Sequence, residues 1–340
     1  MESPKQTVSL PDTVAFARAS RWRAYETVIW MVAVLALLVF PRQAALWNEI
    51  AILALFAISL DLVLGYAGIL TLGHAAFFGT GCYAAALFAK HAMHDPLAGL
   101  AAGMLAAAVL GFVTSFMVLR GSELTRLMVT LGVASLLYEL ANRFENITGG
   151  ADGLQGVVMG PVLGVFQFGL DAKVAYAYSL CVLFVLFLVA RLVAHSPFGY
   201  SLKAIRDNRT RATAIGIDVN RNIVVVYTLG AALAGAAGAL LAQTTAFASL
   251  DVLGFERSAD VMLVLVLGGT GYLYGGVIGA VIFRVVQDAL SAWTPQYWQF
   301  WLGLILVTIV LIGHERMMRR WRSLLRRVAR KRPAAPDAKK

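Results

Sequence analysis

Apolar runs long enough to cross a membrane fill most of this 340-residue chain, for example over 97–119, 174–190 and 223–242. In hydrocarbon every backbone N–H and C=O group must be satisfied within the protein, which such runs achieve as α-helices. The composition agrees, with 59% hydrophobic and 14% charged residues. A soluble domain has about 45–50% apolar and about 25% charged residues. The sequence therefore predicts an all-α, polytopic transmembrane helical bundle.

Hydropathy and helix-ending residues divide the chain into about 8–10 membrane segments. We expect helices over 26–42, 47–65, 68–90, 97–119, 124–141, 174–194, 223–246, 258–271, 274–291 and 297–313. Glycines cluster between residues 268 and 276, where we expect a break. A break at membrane depth is tolerated only where it is buried in protein or lines a cavity, so we expect broken or re-entrant helices.

Basic residues indicate the orientation of the chain. The net charge is +10, and Lys and Arg concentrate in connecting segments and in the tail. Because cytoplasmic loops are enriched in Lys and Arg, we place the stretch 191–221 and both termini in the cytoplasm. The outside then receives Arg42, Lys90, Arg143, Lys173 and Arg257. This distribution predicts contact with membrane lipid and not with nucleic acid.

The expected layout has three parts: a cytoplasmic N-terminal segment (1–25), a transmembrane domain (26–313) and a basic cytoplasmic tail (314–340). Within the domain, 142–173 is interpreted as an external loop and 195–222 as a cytoplasmic loop. The basic start and the short apolar run after it have the layout of a signal peptide. No small-x-small cleavage site follows, so we keep this run as the first helix.

Small residues recur four positions apart toward the end of the chain. They are Gly271, Gly275 and Gly279 on one predicted helix face, and Ala231, Gly235 and Ala239 in the preceding helix. Such faces let helices approach closely in lipid. Packing within the chain is the simpler interpretation, and packing on a second subunit is the alternative.

Polar residues within the apolar segments are candidates for the lining of a translocation path. They are Asp61, Tyr66, Thr71 and His74. A carboxylate at mid-bilayer costs roughly 2.5–3.5 kcal/mol on insertion scales, so Asp61 needs compensation. It either faces a water-filled path or makes a structural hydrogen bond near a membrane boundary, with Tyr66 or His74 as possible partners. A lone histidine in a helix more often packs or hydrogen-bonds, which is the alternative for His74.

The sequence lacks the patterns of catalysis. It contains no G-x-x-x-x-G-K-[ST] phosphate-binding loop, and no zinc, nucleophile-elbow or paired-carboxylate pattern. Cys82 and Cys181 lie in apolar runs and are expected to be small packed hydrophobes. We therefore expect no enzyme activity, no metal and no cofactor bound by this chain. If ATP drives transport, a partner hydrolyses it.

A basic segment over residues 197–218 interrupts the apolar chain. Residues 201–213 fit about three helical turns, Gly216 suits a left-handed C-cap, and Asp218 fits the start of the next helix. Leu202 and Ile205 would then face the bundle. The basic residues Lys203, Arg206, Arg209 and Arg211 would face outward. Such a helix is either a docking lever for a partner or a solvated loop that sets topology, and the residues alone leave both interpretations open.

Four stretches together resemble a known family, the permease subunits of ATP-binding-cassette (ABC) importers for branched-chain amino acids, especially the LivM-type half. They are GYAGILTLGHAAFFGTGCYAAAL at 65–87, ITGGADGLQGV at 147–157, PFGYSLKAIRDNRTRATAIGID at 197–218 and LGGTGYLYGGVIGA at 267–280. Their order and spacing follow the family across about two thirds of the chain. The sequence departs from the family pattern at Asp61, Thr71, Thr270 and Gly276.

The resemblance implies a permease of the bacterial cytoplasmic (inner) membrane with several partners. These are a second, LivH-like permease subunit, two cytoplasmic ABC ATPase subunits that use ATP and Mg²⁺, and a periplasmic or extracellular solute-binding protein. By this likeness the basic segment docks on the ATPase through Gly199, Lys203, Arg206, Asp207, Arg209, Arg211 and Gly216. The external gate or binding-protein platform would comprise Thr148, Gly149, Gly150, Asp152 and Gly153. Related importers also carry urea, short amides and other small carboxylates, so the solute stays open.

The alternative class is a secondary transporter or channel for a small polar solute. It would need coupling-ion carboxylates and no docking segment, yet acidic residues in the membrane segments are scarce beyond Asp61 and Asp288. A membrane-embedded enzyme would need a cluster of His, Asp or Glu at membrane depth. The sequence offers no such cluster, so an importer permease is the predicted function.

Overall fold

The computed structural model describes residues 24–119, 121–162, 164, 166–169 and 172–312. Most of the expected N-terminal segment (1–25) and all of the expected tail (314–340) lie outside these residues. The same holds for most of the basic residues at the two ends of the chain.

The described chain is helical almost throughout. Its helices are α1 Ala24–Val39, α2 Ala44–Leu60, α3 Ala75–His91, α4 Pro96–Leu119, α5 Glu123–Arg143, α6 Glu145–Thr148, α7 Lys173–Ala194, α8 Pro197–Asp207, α9 Arg209–Ala214, α10 Val219–Thr245, α11 Phe255–Gly268, α12 Leu273–Trp293 and α13 Trp298–Ile312. A π-helix, Asp61–Tyr66, continues α2, and short 3₁₀ turns lie at Pro41–Gln43, Gly150–Asp152 and Leu250–Leu253. The predicted all-α class is confirmed.

Among the described residues, six helical stretches are long and apolar enough to cross a membrane. They are Pro41–Tyr66, Pro96–Leu119, Glu123–Arg143, Lys173–Ala194, Val219–Thr245 and Leu273–Trp293. The other predicted membrane segments correspond to shorter helices. The shortest is α11, with 14 residues. At about 1.5 Å per residue it is shorter than the roughly 30 Å hydrocarbon layer, so it cannot span the membrane alone.

The chain divides into one unit that ends at Val281 and a second that begins at Ile282. The second contains the later turns of α12 and all of α13, and its described part exposes the aromatic side chains of Trp293, Tyr297 and Phe300. Exposed Trp and Tyr at helix ends are typical of membrane–water interfaces. The candidate site lies in the first unit.

The core of the first unit is built on α10, where small residues let neighbouring helices approach closely. Gly235 lies against Gly81 of α3 and against Gly103 and Ala107 of α4. A Cβ atom on Gly81 would overlap the backbone of Gly235, so neither position has room for a larger side chain. The small-residue stripe of α10 is therefore used for packing within the chain.

The predicted break in the glycine-rich region is confirmed, because α11 ends at Gly268 and α12 begins only at Leu273. Gly275 and Gly279 pack α12 against the backbone of α11, again within the chain. Gly271 was predicted on the same helix face, and this is wrong. It lies in the turn between the helices with a φ of +78°, where glycine avoids the steric cost of a side chain.

A second break, between α2 and α3, is longer than predicted, since the sequence suggested only a two-residue interruption at 66–67. The sequence suggested a helix over 68–90, but α3 begins at Ala75 and residues 67–74 are not helical. Gly68 has a φ of +69°. The side chain of Arg206 comes so close that a Cβ atom on Gly68 would lie 2.6 Å from its Cγ. Hydropathy underestimates the length of this break because the stretch stays apolar and its backbone is enclosed by protein.

The two sides of the first unit are defined by α10. This helix starts just after α9 and has 27 residues, a rise of about 40 Å. Beyond its far end, Ala248 forms an antiparallel bridge with Leu154 of the predicted external loop. We call the side that carries α8 and α9 the inner side and the side of Leu154 the outer side.

α1 is held to α7 by buried polar contacts. Glu26 and Arg191 form an ion pair in which both residues are more than nine-tenths buried. The Tyr176 hydroxyl donates a 2.7 Å hydrogen bond to the carbonyl of Ala33. Arg191, which the sequence analysis counted among the cytoplasmic basic residues, is therefore a packing residue of the bundle.

Candidate functional site

The basic segment 197–218 forms two short helices in place of the single predicted one. Ser196 caps the start of α8, with its Oγ 3.4 Å from the Gly199 amide nitrogen. Asn208 ends α8 and caps α9, because its side chain accepts a 2.9 Å hydrogen bond from the Arg211 amide. Asn and Ser are strong N-caps, which explains why the segment breaks at Asn208.

The end of the segment follows the prediction. Gly216 has a φ of +88°, in the left-handed region that favours glycine at a helix end. Asp218 starts α10, since its Oδ1 accepts a 3.1 Å hydrogen bond from the Arg221 amide.

Apolar side chains fix α8 to the bundle. Leu202 and Ile205 are buried, as predicted. Gly199 lies so close to the end of α7 that a Cβ atom there would overlap the carbonyl of Ala194. The helix therefore lies tightly against the inner side and cannot shift without moving its neighbours.

Two of the basic residues predicted to face outward also contact the bundle, although the Arg206 side chain stays exposed and pairs with Asp207. Arg206 Nη1 donates a 2.6 Å hydrogen bond to the carbonyl of Gly65, where the π-helix ends. The Lys203 ammonium lies 5.0 Å from the centre of the Tyr66 ring, a cation–π distance. The outward prediction did not include these inward contacts, which form because α8 lies beside the broken end of α2.

Other polar residues of the segment remain on its outward face. Arg211 and Asp207 are exposed. Arg209 is half-buried, and its Nη2 lies 3.4 Å from Oδ1 of Asn220. This face is not covered by the described residues and stays available to a partner.

Asp61 makes a structural hydrogen bond at the inner side. Its side chain is fully buried, and Oδ1 accepts a 2.7 Å hydrogen bond from the amide of Gly271. Its second oxygen has no hydrogen-bond partner among the described residues. The suggested partners Tyr66 and His74 are not used. Instead the carboxylate connects the π-helix to the turn between α11 and α12.

We call Asp61, Gly65, Arg206 and Gly271 the inner junction. A Cβ atom on Gly65 would overlap the Asp61 carboxylate and lie 2.5 Å from the Gly271 nitrogen, so the four residues are in close packing. They bring together the broken end of α2, the helix α8 and the α11–α12 turn. A displacement of α8 therefore acts directly on both breaks of the bundle.

His74 is a buried packing residue. Its Nε2 lies 2.9 Å from Ser59 Oγ, and that hydroxyl lies 2.6 Å from the carbonyl of Phe56. Because a hydroxyl has one hydrogen to donate, it goes to Phe56, and His74 Nε2–H donates to Ser59. The His74 ring also stacks on that of Phe56, with centroids 5.5 Å apart.

Thr71 is buried beside the Tyr227 hydroxyl. The four candidate path residues are therefore all in the interior of this conformation. Asp61 and Tyr66 lie at the inner side, whereas Thr71 and His74 lie in the break before α3. A direct role in the path stays a prediction for each of them.

The predicted outer gate or platform is a compact turn. The Thr148 hydroxyl donates to the carbonyl of Ala141, at 2.5 Å, and so closes the end of α5. Gly149, Gly150 and Gly153 all have positive φ, which explains the glycine-rich sequence. The chain then pairs with Ala248.

The exposed part of this turn is small. The side chain of Asp152 is exposed, whereas Leu154 is buried and forms the bridge. Phe247 covers Gly153. The turn is thus a fixed surface at the outer side, with Asp152 as its free charge.

The sequence interpretation missed a group of charges at the start of α11. Glu256 and Arg257 are exposed there. The placement of Arg257 outside the membrane stays a prediction. The next residue, Ser258, accepts a 2.9 Å hydrogen bond from the amide of Ala75 at the inner end of α3. The signal in the sequence is two adjacent charges directly before an apolar stretch too short to span.

Neither cysteine belongs to a site. Cys82 is buried, as expected, whereas Cys181 is exposed on α7 and so is not packed within this chain. In the part of the chain that the structure describes, no group of three His, Cys, Asp or Glu side chains is placed to hold a metal ion.

Comparison with known proteins relates most of the chain, from the start of α2 onward, to one family. The family model of the branched-chain amino acid transport system permease component matches residues 42–312. The chain is 28% identical over 279 residues to the high-affinity branched-chain amino acid transport system permease protein LivM of Escherichia coli, covering 76% of this chain and 65% of LivM. It thus spans about two thirds of that relative.

Two further relatives are named for other solutes. The L-arabinose ABC transporter permease protein AraH of Azospirillum brasilense is 27% identical over 238 residues, which cover 67% of this chain and 68% of AraH. The autoinducer 2 import system permease protein LsrC of Klebsiella pneumoniae is 31% identical over 128 residues, 36% of this chain and 37% of LsrC. No solved structure matches.

Proposed function

Because this chain belongs to the family of branched-chain amino acid transport system permease components, we propose that it is a membrane-spanning permease subunit of an ABC importer. With a second, LivH-like permease it forms an alternating-access path for a branched-chain amino acid or a related small solute. The names of LivM and LivH support the amino-acid class, since both are high-affinity branched-chain amino acid permeases.

The inner junction is the observation that carries this proposal. An importer of this kind must convert ATP binding in a separate subunit into a change of helix packing in the membrane. Arg206 connects a surface helix to the backbone of Gly65, and Asp61 connects the same region to Gly271. A partner that moves α8 thereby shifts the equilibrium between outward- and inward-open packings.

One of the two cytoplasmic ABC ATPase subunits, which use ATP and Mg²⁺, binds to the outward face of α8 and α9. Arg209, Arg211 and Asp207 provide polar contacts there. An open groove of about 440 Å³ between the start of α8 and the start of α10 is lined by Phe198, Ile217 and Asp218, among others, and can receive an ATPase side chain. Gly199 and Gly216 set the shape of the segment.

The solute-binding protein, periplasmic or extracellular, docks at the outer side. The turn that contains Thr148, Gly149, Gly150, Asp152 and Gly153 is a rigid platform for it. The protein therefore lies in the cytoplasmic membrane with α8, α9 and both termini in the cytoplasm. This chain carries out no covalent chemistry, and its own work is a conformational cycle.

Isolation of the complex tests the proposal. The chain is produced together with the ATPase subunits, second permease and binding protein encoded beside its gene, and is purified through a tag on this chain alone. We expect two ATPase copies and one second permease per tagged chain, measured by native mass spectrometry. Recovery of this chain free of any ATPase, with the ATPases soluble and folded, would contradict the proposal.

A further inference from the structure

The first turn of α11 lies deep in the membrane. Ser258 accepts a hydrogen bond from the amide of Ala75, the first residue of α3. From Ala75 to His91, α3 rises by about 24 Å toward the outer side. Just beyond its outer end, the carbonyl of His94 accepts a 2.7 Å hydrogen bond from Gly160 of the predicted external loop. In a hydrocarbon layer of roughly 30 Å, Ser258 therefore lies well below the outer surface.

The residues before Ser258 also lie along α3, between its outer end and Ala75. Leu253 packs directly on Gly79, one helical turn above Ala75. The chain thus runs down along α3 from the bridge at Ala248 to Ser258. Residues 251–257 are within the membrane, although they connect two apolar helices.

Charged side chains are exposed at this depth. Glu256 and Arg257 lie in the first turn of α11, and Asp251 lies in the 3₁₀ turn before it. All three are exposed. Neither Glu256 nor Arg257 has an ion-pair or side-chain hydrogen-bond partner among the described residues. Charges at membrane depth that face lipid are costly, so such residues normally face a water-filled cavity or a protein partner.

Residues around the start of α11 provide further polar groups. The Tyr83 hydroxyl on α3 is buried and has no hydrogen-bond partner in the described part of the chain. It lies within electrostatic range of Asp251 and of Tyr138 on α5. The start of α11 has no side-chain cap, and the Arg257 amide donates to the carbonyl of Gly254, so the N–H groups of Phe255 and Glu256 are the candidates for a solute. Half-helices that begin at membrane depth present such N–H groups to anionic parts of solutes.

We infer that Glu256 and Arg257 line the water-filled translocation path and bind a zwitterionic solute. Arg257 and the N–H groups of α11 bind the solute carboxylate, and Glu256 binds its ammonium group. This inference rests on the proposed function and deepens it, because it selects α-amino acids over neutral sugars. A sugar would require neither charge, whereas two adjacent opposite charges match the two charges of an amino acid.

Labelling of cysteine variants tests whether position 256 is in contact with water. In a background with Cys82→Ala and Cys181→Ser, Glu256→Cys is introduced into the full complex, reconstituted in lipid vesicles. A cationic, membrane-impermeant methanethiosulfonate should label it at least tenfold faster than Leu105→Cys, an exposed position in the apolar surface of α4. Equal rates for the two would show that lipid or the second permease covers Glu256 and would overturn the inference.

Uptake measurements test the solute class. We expect Glu256→Gln and Arg257→Gln each to lower ATP-driven uptake of L-leucine at least tenfold, while binding-protein-stimulated ATP hydrolysis persists. The controls Glu123→Gln and Arg143→Gln, at the two ends of α5, should leave uptake within twofold. Uptake within twofold of the wild type in both test variants would overturn the inference.

Two comparisons distinguish these results from failed assembly of the complex and from failure of the proposed function. If a Gln variant does not assemble, Glu256→Asp and Arg257→Lys retain the charges and should restore assembly and uptake together. Assembly without recovery of uptake would count against a charge-based site. If the wild-type complex shows no ATP-driven uptake of any solute, the proposed function fails, while rapid labelling of Glu256→Cys would still show a water-filled cavity.

Discussion

The guanidinium of Arg206 donates a 2.6 Å hydrogen bond to the carbonyl of Gly65, a residue 141 positions earlier in the chain. Gly65 belongs to the π-helix that precedes the break before α3. A surface helix is thereby fixed to the point where a membrane helix stops being regular. This contact gives a physical route from a docking surface to the interior of the bundle.

Replacement of Arg206 by Met should uncouple the transporter. The variant keeps the aliphatic part of the side chain but loses a charge-assisted hydrogen bond. We expect solute moved per ATP hydrolysed to fall roughly tenfold, which corresponds to a coupling free energy of about 1.4 kcal/mol. Uptake and ATP hydrolysis are measured in the same vesicles.

Arg211→Met is the matched control for Arg206→Met, because Arg211 is exposed on the outward face. It should weaken ATPase binding while leaving the ratio of transport to hydrolysis unchanged in complexes that do form. Equal ratios in the Arg206 variant and the wild type would show that the Gly65 contact has no part in coupling.

Asp61→Asn should be tolerated, since an amide oxygen can still accept the hydrogen bond from Gly271. Asp61→Leu leaves that buried amide without a partner, which should cost about 1–3 kcal/mol. Thermal unfolding of the purified protein measures both effects. If Asp61→Asn alters which solutes are taken up while stability is unchanged, Asp61 contacts the solute and the structural role is insufficient.

The small-residue packing around α10 predicts that the stability cost of a glycine-to-leucine change depends strongly on its position. Gly235→Leu places a side chain against the backbones of Gly81 and Gly103. It should cost more than the about 1–3 kcal/mol of ordinary overpacking, because the backbone cannot rotate away. Gly132→Leu on α5 meets open space and should change stability by less than about 1 kcal/mol. Comparable membrane abundance of the two variants would contradict this packing.

The buried pair of Glu26 and Arg191 predicts non-additive mutations. Arg191→Met alone leaves a buried carboxylate without its cation and should cost about 3–5 kcal/mol. The double variant with Glu26→Gln should recover part of this loss. A double-mutant cycle by thermal unfolding measures the coupling, and strictly additive effects would show that the pair does not stabilise the bundle.

Most helices could be predicted from the sequence because hydropathy and caps determine them locally. The break before α12 was predicted too, since several glycines mark it. The length of the break before α3 was underestimated, because the stretch around Gly68 is as apolar as a helix and its irregular backbone packs against the distant Arg206. Similarly, the contacts of Arg206 and Lys203 with the bundle depend on how α8 lies on α2, which no local pattern encodes.

The candidate site was likewise predictable only in part. Burial of Leu202 and the cap at Gly216 follow from helical periodicity and turn chemistry within one segment. The bond between Asp61 and Gly271 and the contact of Ser258 with the start of α3 arise only when segments far apart in the chain are brought together. Charge counting assigns Arg257 to the outside because it places a basic residue in the nearest loop and takes no account of how that loop packs on α3.

Uptake by the purified, reconstituted complex tests the central claim most directly. Vesicles containing this chain, the second permease and the ATPases are supplied with the binding protein and radiolabelled L-leucine on the outer side and ATP on the inner side. Accumulation should require ATP hydrolysis and should persist when ionophores remove all ion gradients. Uptake by this chain alone, driven by an ion gradient and indifferent to ATP, would contradict the assignment as an importer permease.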